Sequence, residues 1–145
     1  MHIVQPITQS IMIKYVIRAK KNPLTKEVKY YPQMAPTTPV SLAQIIKRVE
    51  KRSTVSSADV KAVLDALQYE VIDALQNGNT VRLGDLGSFR LSIKANGSAT
   101  SAEAKKAGAN AITAVNVQFT KSVAMKEALS PSNVEFGLQA DIAND

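Results

Sequence analysis

Ser56-Ser57-Ala58-Asp59-Val60-Lys61-Ala62-Val63-Leu64-Asp65-Ala66-Leu67-Gln68-Tyr69-Glu70-Val71-Ile72-Asp73-Ala74-Leu75-Gln76-Asn77-Gly78 is the stretch on which the fold turns. Val60, Val63, Leu64, Leu67, Val71, Ile72 and Leu75 recur three and four residues apart, which puts them on one side of a helix. Ser56 followed by Asp59 is a capping pattern at its start, and Asn77-Gly78 is a stop, because glycine readily takes the left-handed conformation that ends a helix. A helix with so wide a stripe needs a large apolar surface to lie on. Upstream, Ser41 and Gln44 form a capping box ahead of Leu42, Ile45, Ile46 and Val49, so a first helix is expected over 42–52. That helix is too small to cover the stripe, which points to a partner subunit.

Downstream of Gly78 the period changes from helical to alternating. Thr80-Val81-Arg82-Leu83 reads as a short strand, Gly84-Asp85-Leu86-Gly87 as a turn, and Ser88 to Ile93 as a strand with Phe89, Leu91 and Ile93 facing inward. Residues 95–114 hold eight alanines with Gly97 and Gly108; they predict no regular strand, and Ser101 to Gly108 suits a short capped helix. Val115 to Phe119 alternates as a third strand, and Ser122 to Leu129 suits a brief helix stopped by Ser130-Pro131. The polar, acidic tail that follows is read either as loose or as a marginal edge strand around Val134, Phe136 and Leu138. Before the helices, residues 13–20 and 26–31 are rich in β-branched and aromatic types and flank Asn22-Pro23, the pattern of a β-hairpin. Pro32, Pro36 and Pro39 mark residues 32–40 as an extended linker.

The fold class is therefore α+β. The expected organisation is an extension over 1–12, a hairpin and linker over 13–40, one main domain over 41–130 and an acidic tail over 131–145. With 145 residues, 45% of them apolar, the chain has material for one core. No apolar run reaches the ~18 residues of a membrane span, and the first residues lack the pattern of a secretory signal, so a soluble protein is expected. Met12 offers a second starting point. No cysteine is present, which removes disulfides and thiolate sites and suits a reducing cytoplasm. The single histidine, His2, builds neither a metal cluster nor a histidine-based triad. Glu50, Asp59, Asp65, Glu70 and Asp73 alternate with Lys47, Arg48, Lys51 and Lys61 on helix surfaces, where ion pairing and solubility account for them. No enzyme, cofactor, metal or small-molecule substrate is expected.

The net charge of +6 is unevenly distributed. Residues 1–40 carry six Lys or Arg against Glu27 alone, residues 41–91 are nearly balanced with seven basic and six acidic, and residues 92–129 return to a surplus of three. Basic segments flanking a regular body suit a polyanion, because neutralised phosphates release condensed counterions; an ordinary basic surface is the competing account.

The order helix, helix, strand, strand, connection, strand, short helix over residues 38–130 resembles the HU and integration host factor family of bacterial histone-like proteins. Asn77 to Leu83 resembles that family's helix-to-strand passage. Leu86-Gly87-Ser88-Phe89-Arg90-Leu91 resembles its glycine turn before a buried aromatic, and Phe119 to Leu129 resembles its closing segment. The resemblance implies an HU-like fold whose two helices form a dimer core under a three-stranded antiparallel sheet, with a short C-terminal helix. It also implies a homodimer that binds double-stranded DNA in the nucleoid, with Lys121 and Lys126 where the family carries phosphate-facing lysines and Arg90 and Lys94 along the strand leading into the arm; a solvated surface side chain is the competing account for each.

The family's long arm, with a proline-tipped end that wedges into the minor groove, has no counterpart at residues 94–114, where Lys94, Lys105 and Lys106 are the only basic residues. Asp85 stands where the family has a glycine. Lys21-Asn22-Pro23-Leu24-Thr25-Lys26 instead reproduces the arm-tip pattern near the N-terminus, as in Bacteroidetes-type HU-related proteins with an added N-terminal segment. Two readings stay open there: Pro23 intercalates or Lys20, Lys21 and Lys26 grip phosphates, with Arg18 a further DNA-binding candidate, or Asn22-Pro23 is a plain turn former. Tyr15, Tyr30 and Tyr31 either stack on single-stranded bases or cover the apolar face of the hairpin. The expected function is architectural, largely sequence-nonspecific binding of duplex DNA; the alternative is an HU-fold interaction module that does not bend DNA.

Overall fold

The computed structural model describes residues 12–139; the expectations for His2, for the first eleven residues and for the last six lie outside them. Two compact units divide the chain, Val40–Lys126 and a second unit made of the segments up to Pro39 and from Glu127 onward.

The first unit begins with α1, Leu42–Arg52, and α2, Ser57–Gln76. Ser41 accepts from the Gln44 backbone N–H at 3.2 Å while the Gln44 side chain accepts from the Ser41 N–H at 2.9 Å, a closed capping box. Ser56 accepts from the Asp59 N–H at 3.3 Å. At the far end of α2, Asn77 caps and Gly78 takes φ +79°, so the stop read from Asn77-Gly78 is built as expected. The sheet is β3, Val81–Arg82, β4, Gly87–Ala95, and β5, Ile112–Lys121, antiparallel in the order β3-β4-β5. Between β4 and β5 lie α3, Ser101–Ala107, capped by Thr100 on the Glu103 N–H at 3.2 Å, and a 3-10 turn, Gly108–Ala111.

Two sets of contacts fix how β4 meets β5 and how the helix α4, Val123–Ala128, meets the turn before β4. Gly87 is buried at φ +153°, and a Cβ there would stand 2.7 Å from the Phe119 ring and still closer to the Thr120 carbonyl. The gap lets Phe89 and Phe119 pack with ring centroids 5.1 Å apart. Ser122 caps α4 by accepting from the Met125 N–H at 3.0 Å, and its hydroxyl also donates to the Asp85 carbonyl. The Ser122 N–H reaches the Leu86 carbonyl at 3.1 Å. Asp85 thus serves through its backbone, anchoring the C-terminal helix to the turn.

The second unit is a sheet of β1, Ile13–Lys21, β2, Val28–Met34, and β6, Phe136–Leu138, in the order β2-β1-β6. One expectation is corrected here, and of the two readings left open for the tail the edge strand is the one present at residues 136–138. Residues 32–34 are strand rather than linker: Pro32 sits opposite Ile17, tolerated because β2 is an edge strand and needs no N–H on its outer side. Residues 136–138 are not loose; they pair parallel to β1, the Ile13 N–H donating to the Glu135 carbonyl at 2.7 Å and the Gln139 N–H to the Tyr15 carbonyl at 2.9 Å.

Gly87→Ala forces both a glycine-only backbone angle and a clash with Phe119, and is expected to cost about 2–4 kcal/mol in urea unfolding. Ser122→Ala removes a helix cap and the bond to Asp85, and is expected to cost about 1–2 kcal/mol by the same measurement.

Candidate functional site

Strand alternation gives each sheet two chemically different faces. In the Val40–Lys126 unit, the register pairs Phe89 with Phe119, Leu91 with Val117 and Ile93 with Val115 on one side. Ile72, Leu75 and Gln76 of α2 border that apolar face at Leu91, Val115 and Val117. The opposite side carries Arg90 across from Gln118, Ser92 across from Asn116 and Lys94 across from Ala114, with Arg82 beside Ser88 on β3. It is a polar, basic surface without a carboxylate. Gln118 donates to the Ser92 hydroxyl at 3.4 Å, tying two neutral side chains of this face together, and neither Arg90 nor Lys94 makes an ion pair among the described residues.

Of the residues expected to face a ligand from this unit, Arg90 and Lys94 share the basic face. Lys121 does not: it stands across from Gly87, at the end of the strand, on the parity of Phe119. Lys105 and Lys106 are in the last turn of α3 and Lys126 is on α4. Arg82 belongs to the face and was missed; its place next to the inward Val81 in a short strand is the signal that could have found it. Between Ala95 and Ile112 there is no β-arm. The chain closes with the Asn96 N–H on the Ala111 carbonyl at 2.9 Å, and the segment it encloses is the small α3.

In the other unit, Ile13, Tyr15 and Ile17 of β1 share one face with Tyr30, Pro32 and Met34 of β2 and with Phe136 and Leu138 of β6. Lys14, Val16, Arg18 and Lys20 point the other way, beside Lys29, Tyr31 and Gln33. Lys20 and Lys29 are direct cross-strand partners, and the Lys20 ammonium lies over the Tyr31 ring, 5.6 Å from its centroid. Tyr15 and Tyr30 therefore cover the apolar face as one reading had it, whereas Tyr31 stands on the basic face. Lys14 and Lys29 were not singled out; their two-residue phase with Arg18, Lys20 and Tyr31 is the signal that places them. Lys21, on the other parity, does not join them.

The turn explains Asn22 and Pro23 locally. The Asn22 side-chain oxygen accepts from the Leu24 N–H at 2.9 Å and the Thr25 N–H at 3.3 Å, while the Asn22 N–H and carbonyl close the loop on Glu27 and Lys26 at 2.9 Å each. Lys26 takes φ +63°, the left-handed step that such a loop requires. Asn22 thereby serves as a turn former, and the apex presents Leu24, 90% exposed.

Three of the helix carboxylates have local partners. Glu50 accepts from the Ser57 hydroxyl, Asp59 follows the α2 cap, and Asp65 pairs with Lys61 at 3.3 Å, the only ion pair among the described residues.

A family described as an HU domain fused to a winged helix-turn-helix, Ig or glycine-rich motif, HU-HIG, matches residues 11–135. The DNA-binding protein HU of Thermus thermophilus is 36% identical over 58 residues, covering 40% of this chain and 60% of that protein. The crystal structure of a putative bacterial DNA-binding protein from Bacteroides vulgatus superposes over 88% of this chain and 48% of its own, with a TM-score of 0.64 at 16% identity. An HU–DNA cocrystal structure from Anabaena matches over 63% of this chain and 99% of its own, with a TM-score of 0.49 at 20% identity. The chain thus spans about half of the Bacteroides protein and less than two thirds of the Thermus one, and the Bacteroides likeness shows that they share a fold. Because the family match runs through both units, from before β1 to the start of β6, the chain belongs to the HU-HIG family of HU-domain proteins.

Proposed function

We propose that this chain binds double-stranded DNA as an HU-like homodimer in the nucleoid, architecturally and with little sequence preference. The observation that carries the reading is the two-sided β3-β4-β5 sheet. Its apolar face is turned to α2, and its other face offers Arg82, Arg90 and Lys94 among hydroxyl and amide side chains with no carboxylate. Such a surface suits phosphate and sugar contacts, which position a protein on a duplex without reading its sequence. Lys105, Lys106, Lys121 and Lys126 add cations to the same unit. In the other unit Arg18 and Lys20 share a second basic face, while Lys21 falls on the opposite parity and Lys26 belongs to the turn at Asn22 and Pro23.

The reading of a second subunit is supported by how little this chain buries. Among the described residues of the helical unit, only Ile46, Val60 and Leu75 are buried apolar side chains; Val63 of α2 is 65% exposed and Ile72 58%. Covering each such aliphatic side chain is worth of order 1 kcal/mol, so a second copy laying its own stripe here gains far more than solvent offers.

The alternative, an HU-fold interaction module that does not bend DNA, draws on the segment between β4 and β5. A small capped helix stands there in place of an arm, and no apolar wedge is delivered from that position.

Duplex binding is expected to weaken steeply between about 50 and 200 mM salt, and the paired change Arg90→Gln with Lys94→Gln to lower the slope of log affinity against log salt by about 1.8, two phosphate contacts' worth. A flat salt response in fluorescence anisotropy would favour the interaction module instead. Val63→Asp puts a charge on a position that solvent already reaches in one chain, so a monomeric protein would tolerate it; light scattering is expected to show the wild type at twice the chain mass and the variant dissociated.

A further inference from the structure

The three-stranded sheet of β1, β2 and β6 holds its positive charge on one face only, and that arrangement costs stability if nothing binds there. Lys14, Arg18 and Lys20 alternate along β1, within ~20 Å at ~3.3 Å per residue, and Lys29 stands directly across from Lys20. Two ammonium groups opposite each other on neighbouring strands repel. None of the four cations makes an ion pair among the described residues. Glu27, at the mouth of the groove bounded by Lys20, Lys29 and Tyr31, is the one carboxylate lining it.

Sheets do place lysines to blunt an exposed edge, but that device belongs on the edge strand. Here three of the four cations are on β1, the central strand of the order β2-β1-β6. Edge protection therefore explains Lys29 and not the row.

We infer that this face of the β1-β2-β6 sheet is itself a duplex-DNA contact surface, in which Lys14, Arg18, Lys20 and Lys29 bind the sugar-phosphate backbone. It acts in place of the hairpin turn. The inference rests on the DNA-binding reading above and extends it to a surface on the other unit. The Lys20 ammonium lies over the Tyr31 ring at 5.6 Å and competes with a base for that ring face, which favours a backbone contact over base stacking. The turn, by contrast, spends the Asn22 side chain on its own backbone and carries Lys21 on the opposite parity.

Two charge-matched pairs of exposed substitutions in the full chain test this: Arg18→Gln with Lys29→Gln on the face, and Lys21→Gln with Lys26→Gln off it. Far-UV circular dichroism and the melting temperature check that both remain folded. With a random 25-base-pair duplex, the face pair is expected to lower the slope of log affinity against log salt by about 1.8 and the other pair by less than about 0.5. Equal losses from both pairs would show that net charge alone acts, and an unchanged slope in the face pair would show that the face makes no contact; either overturns the inference. If the face pair binds as wild type while Arg90→Gln with Lys94→Gln loses affinity, the DNA-binding reading stands and this surface falls. Absence of salt-dependent duplex binding by the wild type overturns both. Tighter binding of a 25-nucleotide single strand than of the duplex would overturn the assignment of the ligand.

Discussion

Burial is scarce in this chain, and the shortage shapes everything built on it. Ile46, Val60 and Leu75 in one unit and Ala35 in the other are the buried apolar side chains among the described residues, and no buried side-chain polar atom is left without a partner. The α2 stripe and the apolar sheet face, where Val117 is 58% exposed, offer more surface than one copy's own elements take up. Each of these half-covered aliphatic groups contributes only part of the ~1.5–3 kcal/mol of a fully buried one. The helix caps and the close fit at Gly87 decide the geometry in which this apolar surface is presented.

The same alternation that exposes an apolar face sorts the charge. A strand has two sides, so every apolar residue directed one way leaves its neighbours directed the other, and both sheets separate oil from cations by parity alone. In β4 and β5 this leaves Arg90 and Lys94 together, with Arg82 alongside from β3. In β1 and β2 it leaves Arg18 and Lys20 with Lys14 and Lys29. A one-residue slip in either register would send the cations to the apolar side. The turns that set register therefore bear on function without touching a ligand. Asn22 does so by accepting from Leu24 and Thr25, and Gly87 by admitting Phe119.

Much of the fold was legible because its signals are local. The capping pairs Ser41–Gln44, Ser56–Asp59 and Thr100–Glu103 lie within one turn of the residues they organise, and Gly78 ends α2 by its own backbone freedom. The course of β2 through Pro32 was not legible, since proline is excluded from a strand only where its missing N–H is needed. Whether β2 lies at an edge depends on β6, more than 100 residues away in sequence. β6 itself is three residues long, so Val134, Phe136 and Leu138 suggest an edge strand without showing that it pairs parallel to β1. The site was legible in part for a related reason. Arg90 and Lys94 could be placed from strand alternation alone. The side on which Tyr31 falls depends on how many residues the turn contains, and reading three tyrosines as one apolar set missed it.

The segment between β4 and β5 and the added N-terminal sheet bear on each other through chain economy. A long two-stranded arm needs residues that pair across it; Ala99, Ala102, Ala104, Ala107, Ala109 and Ala111 favour a compact helical turn and supply neither β-branched packing nor charge. Cationic strand surface is found instead on β1 and β2, with β6 completing their sheet. A three-stranded sheet holds its register better than an isolated two-stranded ribbon, which is marginal in water. A basic sheet face contacts a polyanion by charge and shape, and a ligand held that way need not be unstacked or kinked. Binding of this kind trades the bending that a wedge at an arm tip enforces for contact area on a rigid support.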